Sequence, residues 1–233
     1  MILSKIVHLW NRWLYQRNVL QLLPRKGGTG ACGQDVFVAE LLGGKRSGVF
    51  VDIGASDGVS ISNTCYLERD LGWTGLAVEP IPSVFARLAQ ARRCQLLNAC
   101  ISDRSGKSRF TEVVGGVDMY SGLSEKMDPR HRRRIRRTIQ RHRRGDVREI
   151  EVDCVAWHDA LARHGIKEVD FLSLDTEGGE LDILRSIDFA RTPVKVISVE
   201  NNYFTHAYTD LLSRHGFERV GAFKVDEIHV WRG

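Results

Sequence analysis

The chain has 233 residues, 42% hydrophobic and 27% charged, a size and balance that suit one globular α/β domain with a sizeable core. Its 34 Lys and Arg exceed its 29 Asp and Glu for a net charge of +5; nine arginines and no acid lie between positions 130 and 144, so the surplus belongs to one segment. No apolar run nears the roughly 18 residues of a membrane span, no cleavage site follows the first residues, and five scattered cysteines form no C-x-x-C pair; these features argue against a membrane span, a secreted disulfide scaffold and a zinc fold, and for a reducing cytoplasm.

Residues 2–23 carry Ile2, Leu3, Ile6, Val7, Trp10, Trp13 and Leu14 at helical spacing, with Lys5, Arg12 and Arg17 nearby. Such a helix packs on the domain or on a second copy of the chain, giving a homodimer, or lies on a membrane surface, where Trp and basic residues fit. PRKGGTG at 24–30 is a flexible break. Residues 34–42 read as a helix, and 49–53, VFVDI, as a strand buried on both faces. Gly54, Ser56, Asp57 and Gly58 form a turn, and a helix runs over 61–71.

A second strand, GLAVE, ends at Glu79, and Pro80-Ile81-Pro82 opens the next helix. Residues 95–101 read as a third strand, followed by a turn from Ser102, and 109–114 as another strand; 117–127 look irregular. The arginine run forms a short, very basic helix, marginal alone because like charges at i, i+4 repel. Residues 149–155 alternate as a strand, and 157–164 are helical. A fourth core strand, 169–174, ends at Asp175. Residues 176–180, TEGGE, turn into a helix, and a fifth strand, 194–199, ends at Glu200-Asn201-Asn202. After a helix at 206–215, strands 217–223 and 227–231 form a terminal antiparallel pair. Alternating strands and helices require a mostly parallel sheet. One domain over 31–233 is expected, with a basic insertion at about 126–148.

The strand, glycine turn and helix at 49–71 make a nucleotide-binding crossover. Gly54 and Gly58 have no Cβ and let backbone approach a ligand, and the helix N-terminus offers unpaired N–H groups. D-I-G-A-S-D-G lacks the third glycine of a dinucleotide fingerprint. Glu79, at the end of the following strand, is set to accept hydrogen bonds from both hydroxyls of a ribose.

VDIGASDGVSISNT, GWTGLAVEP, VDFLSLDTEGGELDIL and VISVEN together resemble the FkbM family of S-adenosylmethionine (SAM)-dependent methyltransferases, over most of the chain. The resemblance implies a class I, Rossmann-like methyltransferase fold of seven strands, and O-methylation of a sugar or glycan hydroxyl. It implies SAM contacts at Asp52, Gly54 and Glu79, and extends the cofactor site to Ala55, Ser56, Gly58, Asn63, Pro80 and Ser102. It also sets Gln34 against a glutamine element that precedes the first motif in relatives.

A sugar hydroxyl is a poor nucleophile, so the site needs a base or a metal ion. Asp175 ends the fourth core strand, and Glu200 and Asn201 end the fifth; oxygen ligands at adjoining strand ends suit one Mg²⁺. This is similar to metal-dependent catechol and macrolide-sugar O-methyltransferases. As bases, Asp175, Glu177 and His206 are candidates, with Glu180 beside them. Strand-end acids also cap helices, and a lone histidine is more often a surface residue. Two other functions compete. An RNA-binding methyltransferase would use the arginine run, which lacks interleaved aromatics for base stacking; a catalytically dead scaffold is opposed by the intact Asp52, Gly54, Gly58 and Glu79. The arginine run itself suits an anionic glycan, or the anionic membrane holding a lipid-linked acceptor.

Overall fold

The structure is a computed structural model that describes residues 28–30, 33–115, 118–143 and 145–233. The helix expected at 2–23 and Cys32 lie outside the described residues. In chain order the elements are α1 (Gln34–Leu41), β1 (Val49–Ile53), α2 (Cys65–Leu71), β2 (Thr74–Val78), α3 (Pro82–Ala91), β3 (Gln95–Leu97), β4 (Cys100–Ser102) and β5 (Gly106–Val114). A 3₁₀ turn (Asp118–Tyr120), β6 (Gly122–Leu123), α4 (Pro129–His142), β7 (Asp146–Ala156), α5 (Trp157–Arg163) and β8 (Val169–Leu174) come next. The chain then closes with α6 (Glu180–Ser186), β9 (Val194–Glu200), α7 (Ala207–Ser213), β10 (Phe217–Phe223) and β11 (Asp226–Trp231).

Seven strands form the main sheet in the order β10-β11-β9-β8-β1-β2-β3. β3, β2, β1, β8 and β9 are parallel, and β11 runs antiparallel to both β9 and β10. β8 is buried along its whole length, and β1 along nearly all of it, which is why they read as continuous apolar runs rather than alternating ones. Helices cover both faces. Ala160 and Leu161 of α5, Ile183 and Leu184 of α6 and Leu212 of α7 pack with Val51, Ile53, Leu172 and Leu174. Val38 of α1 and Leu67 of α2 pack on the other side with Phe50, Phe171 and Trp73. Because β1 has β2 on one side and β8 on the other, the chain winds in opposite directions from it, and the crevice at the carboxyl ends of these strands is where open α/β sheets bind ligands. Among the described residues, no helix is long and apolar enough to cross a membrane.

Three local expectations are corrected. The single strand at 95–101 is two strands in different sheets. Asn98 between them turns its side-chain amide back to the carbonyl oxygens of Glu79 (2.8 Å) and Pro80 (3.1 Å), and the chain leaves the main sheet there. From that point it builds a second, four-stranded sheet, β4-β7-β5-β6, with an apolar filling of Cys100, Phe110, Leu123, Val152 and Cys154. The irregular segment after β5 contains the 3₁₀ turn and β6, an edge strand of that sheet. Finally, α2 starts at Cys65, not at 61, because the Ser62 hydroxyl accepts from the Thr64 and Cys65 amides and fixes a turn ahead of the helix.

The arginine run is helical. Asp128 caps α4 by accepting from the Arg130 amide (2.6 Å), and Pro129 occupies the first turn, where its missing N–H costs nothing. Only a narrow face of α4 is buried: His131 and Ile135, with Ile139 beside them, pack on Val113, Met127 and Tyr120.

Candidate active site

An open cleft of about 370 Å³ lies at the carboxyl ends of β1, β2 and β8, walled on one side by Phe110 and Leu123 of the second sheet. Gly54 makes the turn at its floor. Its φ is +88°, and a Cβ there would stand 1.8 Å from the carbonyl oxygen of Asp175, so only glycine lets the ends of β1 and β8 approach this closely. Glu79 lines the cleft and is held by two backbone amides, Ser56 N–H at 3.1 Å and Ile81 N–H at 2.8 Å. Burial pushes its pKa up to about 7 against those hydrogen bonds. Asp52 is buried and accepts from the Thr64 hydroxyl at 2.6 Å; burial raises its pKa, opposed by Thr64 and by the Arg92 guanidinium. Asn63 donates to the Ser173 hydroxyl (3.2 Å), and its Oδ1 is buried in the cleft lining with no protein partner. Buried acceptors are almost always satisfied, so this oxygen is an unused acceptor just behind the cleft surface.

Asp52, Gly54, Ala55, Ser56, Asn63, Glu79 and Pro80 therefore all line the cleft, whereas Gly58, Gln34 and Ser102 do not. Gly58 is needed for packing: a Cβ would meet Leu88 Cδ1 at 2.4 Å and Arg92 Cγ at 2.7 Å. The buried Gln34 gives its amide to Asp226 at 2.6 Å, tying α1 to β11. Ser102 turns its hydroxyl to Asp103 (2.9 Å). The N-terminus of α2 is not open to a ligand either, since the Cys65 amide donates to Ser62 and the Tyr66 amide to Thr29.

Beside the glycine turn the cleft is acidic through Asp175 and Glu177, with Glu200 next to them outside its lining. Asp175, Glu177 and Glu200 each bring a carboxylate oxygen within 4.8 Å of the others. Asp175 is exposed to the cleft, but the protein packed around it, and then the charges of Glu177, Asp226, Glu180 and Asp52, raise its pKa well above the carboxylate range. Glu200 is raised likewise by burial and by Asp175 and Glu177. Glu177 is pushed up to about 8, by burial first, with Glu180 adding to it and Arg134 and the Asn202 amide opposing. Its φ of +56° is costly for a residue with a Cβ. Glu180 holds that turn by accepting from the Thr176 amide and hydroxyl and the Gly178 amide, which removes it from the group of free acids.

Asn201 does not join this cluster, although it comes directly after Glu200. Its amide donates to Thr205 O (2.8 Å) and Glu227 Oε1 (2.9 Å), and its Oδ1 accepts from the Thr205 amide. Asn202 takes the adjoining place, donating to Glu177 (3.0 Å) and Glu200 (2.5 Å). His206 is exposed at the start of α7 and is not part of the cleft lining. The histidine at the site is His131, from the arginine helix, with Nδ1 3.2 Å from Glu177 Oε2. The sequence contained no signal for it beyond its place on the one buried face of α4.

A family model described as the methyltransferase FkbM domain matches residues 52–219. Among solved structures, the methyltransferase FkbM from Methylobacillus flagellatus KT is similar over 94% of this chain, with a TM-score of 0.50 and 14% identity. The chain spans 50% of that protein's length. The METTL16 methyltransferase domain has a TM-score of 0.45 at 13% identity, covering 84% of this chain and 65% of its own. Precorrin-6y C5,15-methyltransferase from Geobacter metallireducens GS-15 has a TM-score of 0.38 at 14% identity, covering 94% and 96%. No curated protein matches the sequence. The first of these likenesses concerns the fold: an α/β class with a mixed seven-stranded sheet ending in an antiparallel pair.

Proposed function

Because the chain belongs to the FkbM methyltransferase family, we propose that it transfers a methyl group from S-adenosylmethionine to a hydroxyl oxygen of a saccharide. The observation that carries this reading is that one cleft is lined both by Glu79 and Asn63 and by the acids Asp175 and Glu177, the latter two grouped with Glu200 behind them. Glu79, already fixed by two amides, would hold the ribose hydroxyls of the cofactor, with Asn63 in the adjoining wall. Bound there, S-adenosylmethionine would supply an electrophilic methyl group, and this chain's residues would align the acceptor hydroxyl with it and take up the hydroxyl proton on a carboxylate. Asp175 suits that last task, since it is exposed to the cleft and the neighbouring acids increase its proton affinity. A cytoplasmic site of action agrees with Cys65, Cys94, Cys100 and Cys154 all being free thiols.

A divalent cation is a second reading of the same acids. An all-carboxylate donor set within 4.8 Å suits a hard ion such as Mg²⁺, which would be held by Asp175, Glu177 and Glu200 and would polarise the acceptor hydroxyl.

The test is calorimetry with SAM followed by transfer of its labelled methyl group. Wild type should bind SAM, Glu79→Gln should bind at least tenfold more weakly, and label should appear as an O-methyl ether in a saccharide fraction. Absence of SAM binding, or label found only on nitrogen, would overturn the reading.

A further inference from the structure

The acidic cluster has a basic neighbour that the proposed chemistry does not use. On α4, Arg130, Arg134, Arg137 and Arg141 stand at i, i+4, i+7 and i+11, one row roughly 16 Å long. The helix docks through His131 and Ile135 on another face, so packing makes no demand on the row. Its first two members are fixed by the protein: the Arg130 guanidinium is paired with both carboxylate oxygens of Asp128 (3.0 and 2.7 Å) and lies 3.8 Å from the centre of the Tyr203 ring, so the open charge of the row begins at Arg134, 4.5 Å from the centre of Tyr120. Arg134 also donates to Asn202 Oδ1 (3.2 Å), and the Asn202 amide donates to Glu177 and Glu200. The row thus begins one side chain away from the carboxylates.

Its outer members, Arg137 and Arg141, and Arg133 and Arg136 beside them, are exposed and have no hydrogen-bond or ion-pair partner among the described residues. Some other surface cations are matched, as in Lys107–Glu151, Arg109–Glu149 and Arg232–Glu218, and others, such as Arg163 and Lys167, stand singly among the described residues; what sets α4 apart is that so many lie on one helix. Like charges at i, i+4 destabilise a helix, and an external counter-charge relieves that repulsion. Arginine also grips phosphate and carboxylate with two parallel hydrogen bonds, which lysine cannot do.

We propose that this row binds phosphate or carboxylate groups of the acceptor, so that the methylated saccharide is an anionic one; the proposal rests on the methyltransferase reading above. Nucleic acid fits less well, because the tyrosine faces next to the row are already covered by guanidinium groups and α4 carries no Phe, Tyr or Trp on which bases could stack. A membrane fits less well, because the exposed face of α4 carries no apolar side chain to enter it.

Calorimetry of the full chain tests this with three probes: a galacturonic acid tetramer, inorganic pyrophosphate and the neutral maltotetraose. Wild type should bind a charged probe at least tenfold more tightly than maltotetraose, and less so at high salt. The variant Arg134→Gln/Arg137→Gln/Arg141→Gln should lose at least tenfold of that affinity while binding SAM as wild type does. Preference for the tetramer or for pyrophosphate tells carboxylate from phosphate. Equal binding of charged and neutral probes overturns the proposal, as does a triple variant that keeps the charged-probe affinity. Phosphatidylglycerol vesicles or a single-stranded RNA held by wild type and released by the variant, without a charged-saccharide preference, would overturn it in favour of those partners. Failure of the methyltransferase reading would show separately, as wild type that does not bind SAM.

Discussion

His131 Nδ1 stands 3.2 Å from Glu177 Oε2, while its Nε2 faces the Tyr120 carbonyl oxygen at 2.9 Å. A carbonyl only accepts, so Nε2 carries a hydrogen. Nδ1 then accepts from a protonated Glu177 when the ring is neutral, and donates to the carboxylate when it is charged. One proton lies between the two side chains in either case. Burial lowers the pKa of His131 and raises that of Glu177 to about 8, which favours the neutral arrangement. His131→Phe keeps a ring against Tyr120 but leaves the Tyr120 carbonyl and Glu177 without this partner. It should cost about 2 kcal/mol, read as a lower denaturation midpoint with unchanged slope. Unchanged stability would mean that α4 is held by its apolar contacts alone.

Glu79 makes stability and cofactor binding depend on pH in opposite senses. Its pKa is raised from 4.5 to about 7, chiefly by burial. Between those values the folded chain binds more protons at this carboxyl than the unfolded chain does. The stability it contributes is therefore fully present below about pH 4.5 and lost as pH rises through about 7. The loss amounts to about 3 kcal/mol at roughly 1.4 kcal/mol per unit. Ribose hydroxyls donate to the ionised form, so SAM affinity should rise over the same interval. Glu79→Gln should flatten the SAM profile and make the stability profile shallower, the remaining slope coming from the raised carboxyls of Asp175, Glu177 and Glu200; wild-type-like profiles in that variant would show that Glu79 is not the group that titrates.

The parallel core of the main sheet and its terminal antiparallel pair, though not the strand order, were legible from residues whose pattern is local and strong: the apolar runs of β1 and β8, and the acids Asp52, Glu79, Asp175 and Glu200 near or beyond strand ends. The second sheet was hidden because the turn at Asn98 depends on carbonyl oxygens of Glu79 and Pro80, which sequence spacing does not bring together. Burial on one face leaves β5 and β7 only partly apolar, and β6 has two residues. At the site, strand-end position identified Asp175 and Glu200 but could not tell Asn201 from Asn202. Neighbours in an irregular turn point in different directions, and here Thr205 and Glu227 captured the first of them. His131 was obscured by its setting, since the surrounding arginines advertise solvent rather than a buried ring.

Gly54 and Gly58 should separate on substitution. Both have positive φ, +88° and +77°, so an added Cβ costs about 1–2 kcal/mol at either. At Gly54 the new atom also meets backbone, the Asp175 carbonyl oxygen at 1.8 Å, and β1 and β8 must move apart. At Gly58 it meets side chains instead of backbone, Leu88 Cδ1 and the stem of Arg92, which is buried and held by Glu68, Ser62 and Thr64. Gly54→Ala should lose roughly 3 kcal/mol or more and most SAM binding, since overpacking adds to the conformational cost. Gly58→Ala should lose about 2 kcal/mol and keep most of its SAM affinity. Equal losses of SAM binding would return Gly58 to the ligand's side of the turn.

The cation reading is decided by Glu177 and Asn201. If Asp175, Glu177 and Glu200 hold Mg²⁺, the ion binds the folded chain and stabilises it by about 2.7 kcal/mol at a hundred times its Kd, a thermal shift of roughly 5–10 °C for a chain of this size. Protons compete for the same oxygens, and burial together with mutual repulsion raises the pKa of all three acids. The shift should therefore grow as pH rises, because deprotonation frees the ligands. Glu177→Gln and Asp175→Asn should each remove it. Asn201→Ala should start from a lower melting temperature, having lost its ties to Thr205 and Glu227, and still show the full Mg²⁺ shift. A shift of equal size in wild type and Asp175→Asn would mean that the ion binds elsewhere. Methyl transfer unchanged after exhaustive chelation would leave the cluster as a proton acceptor alone.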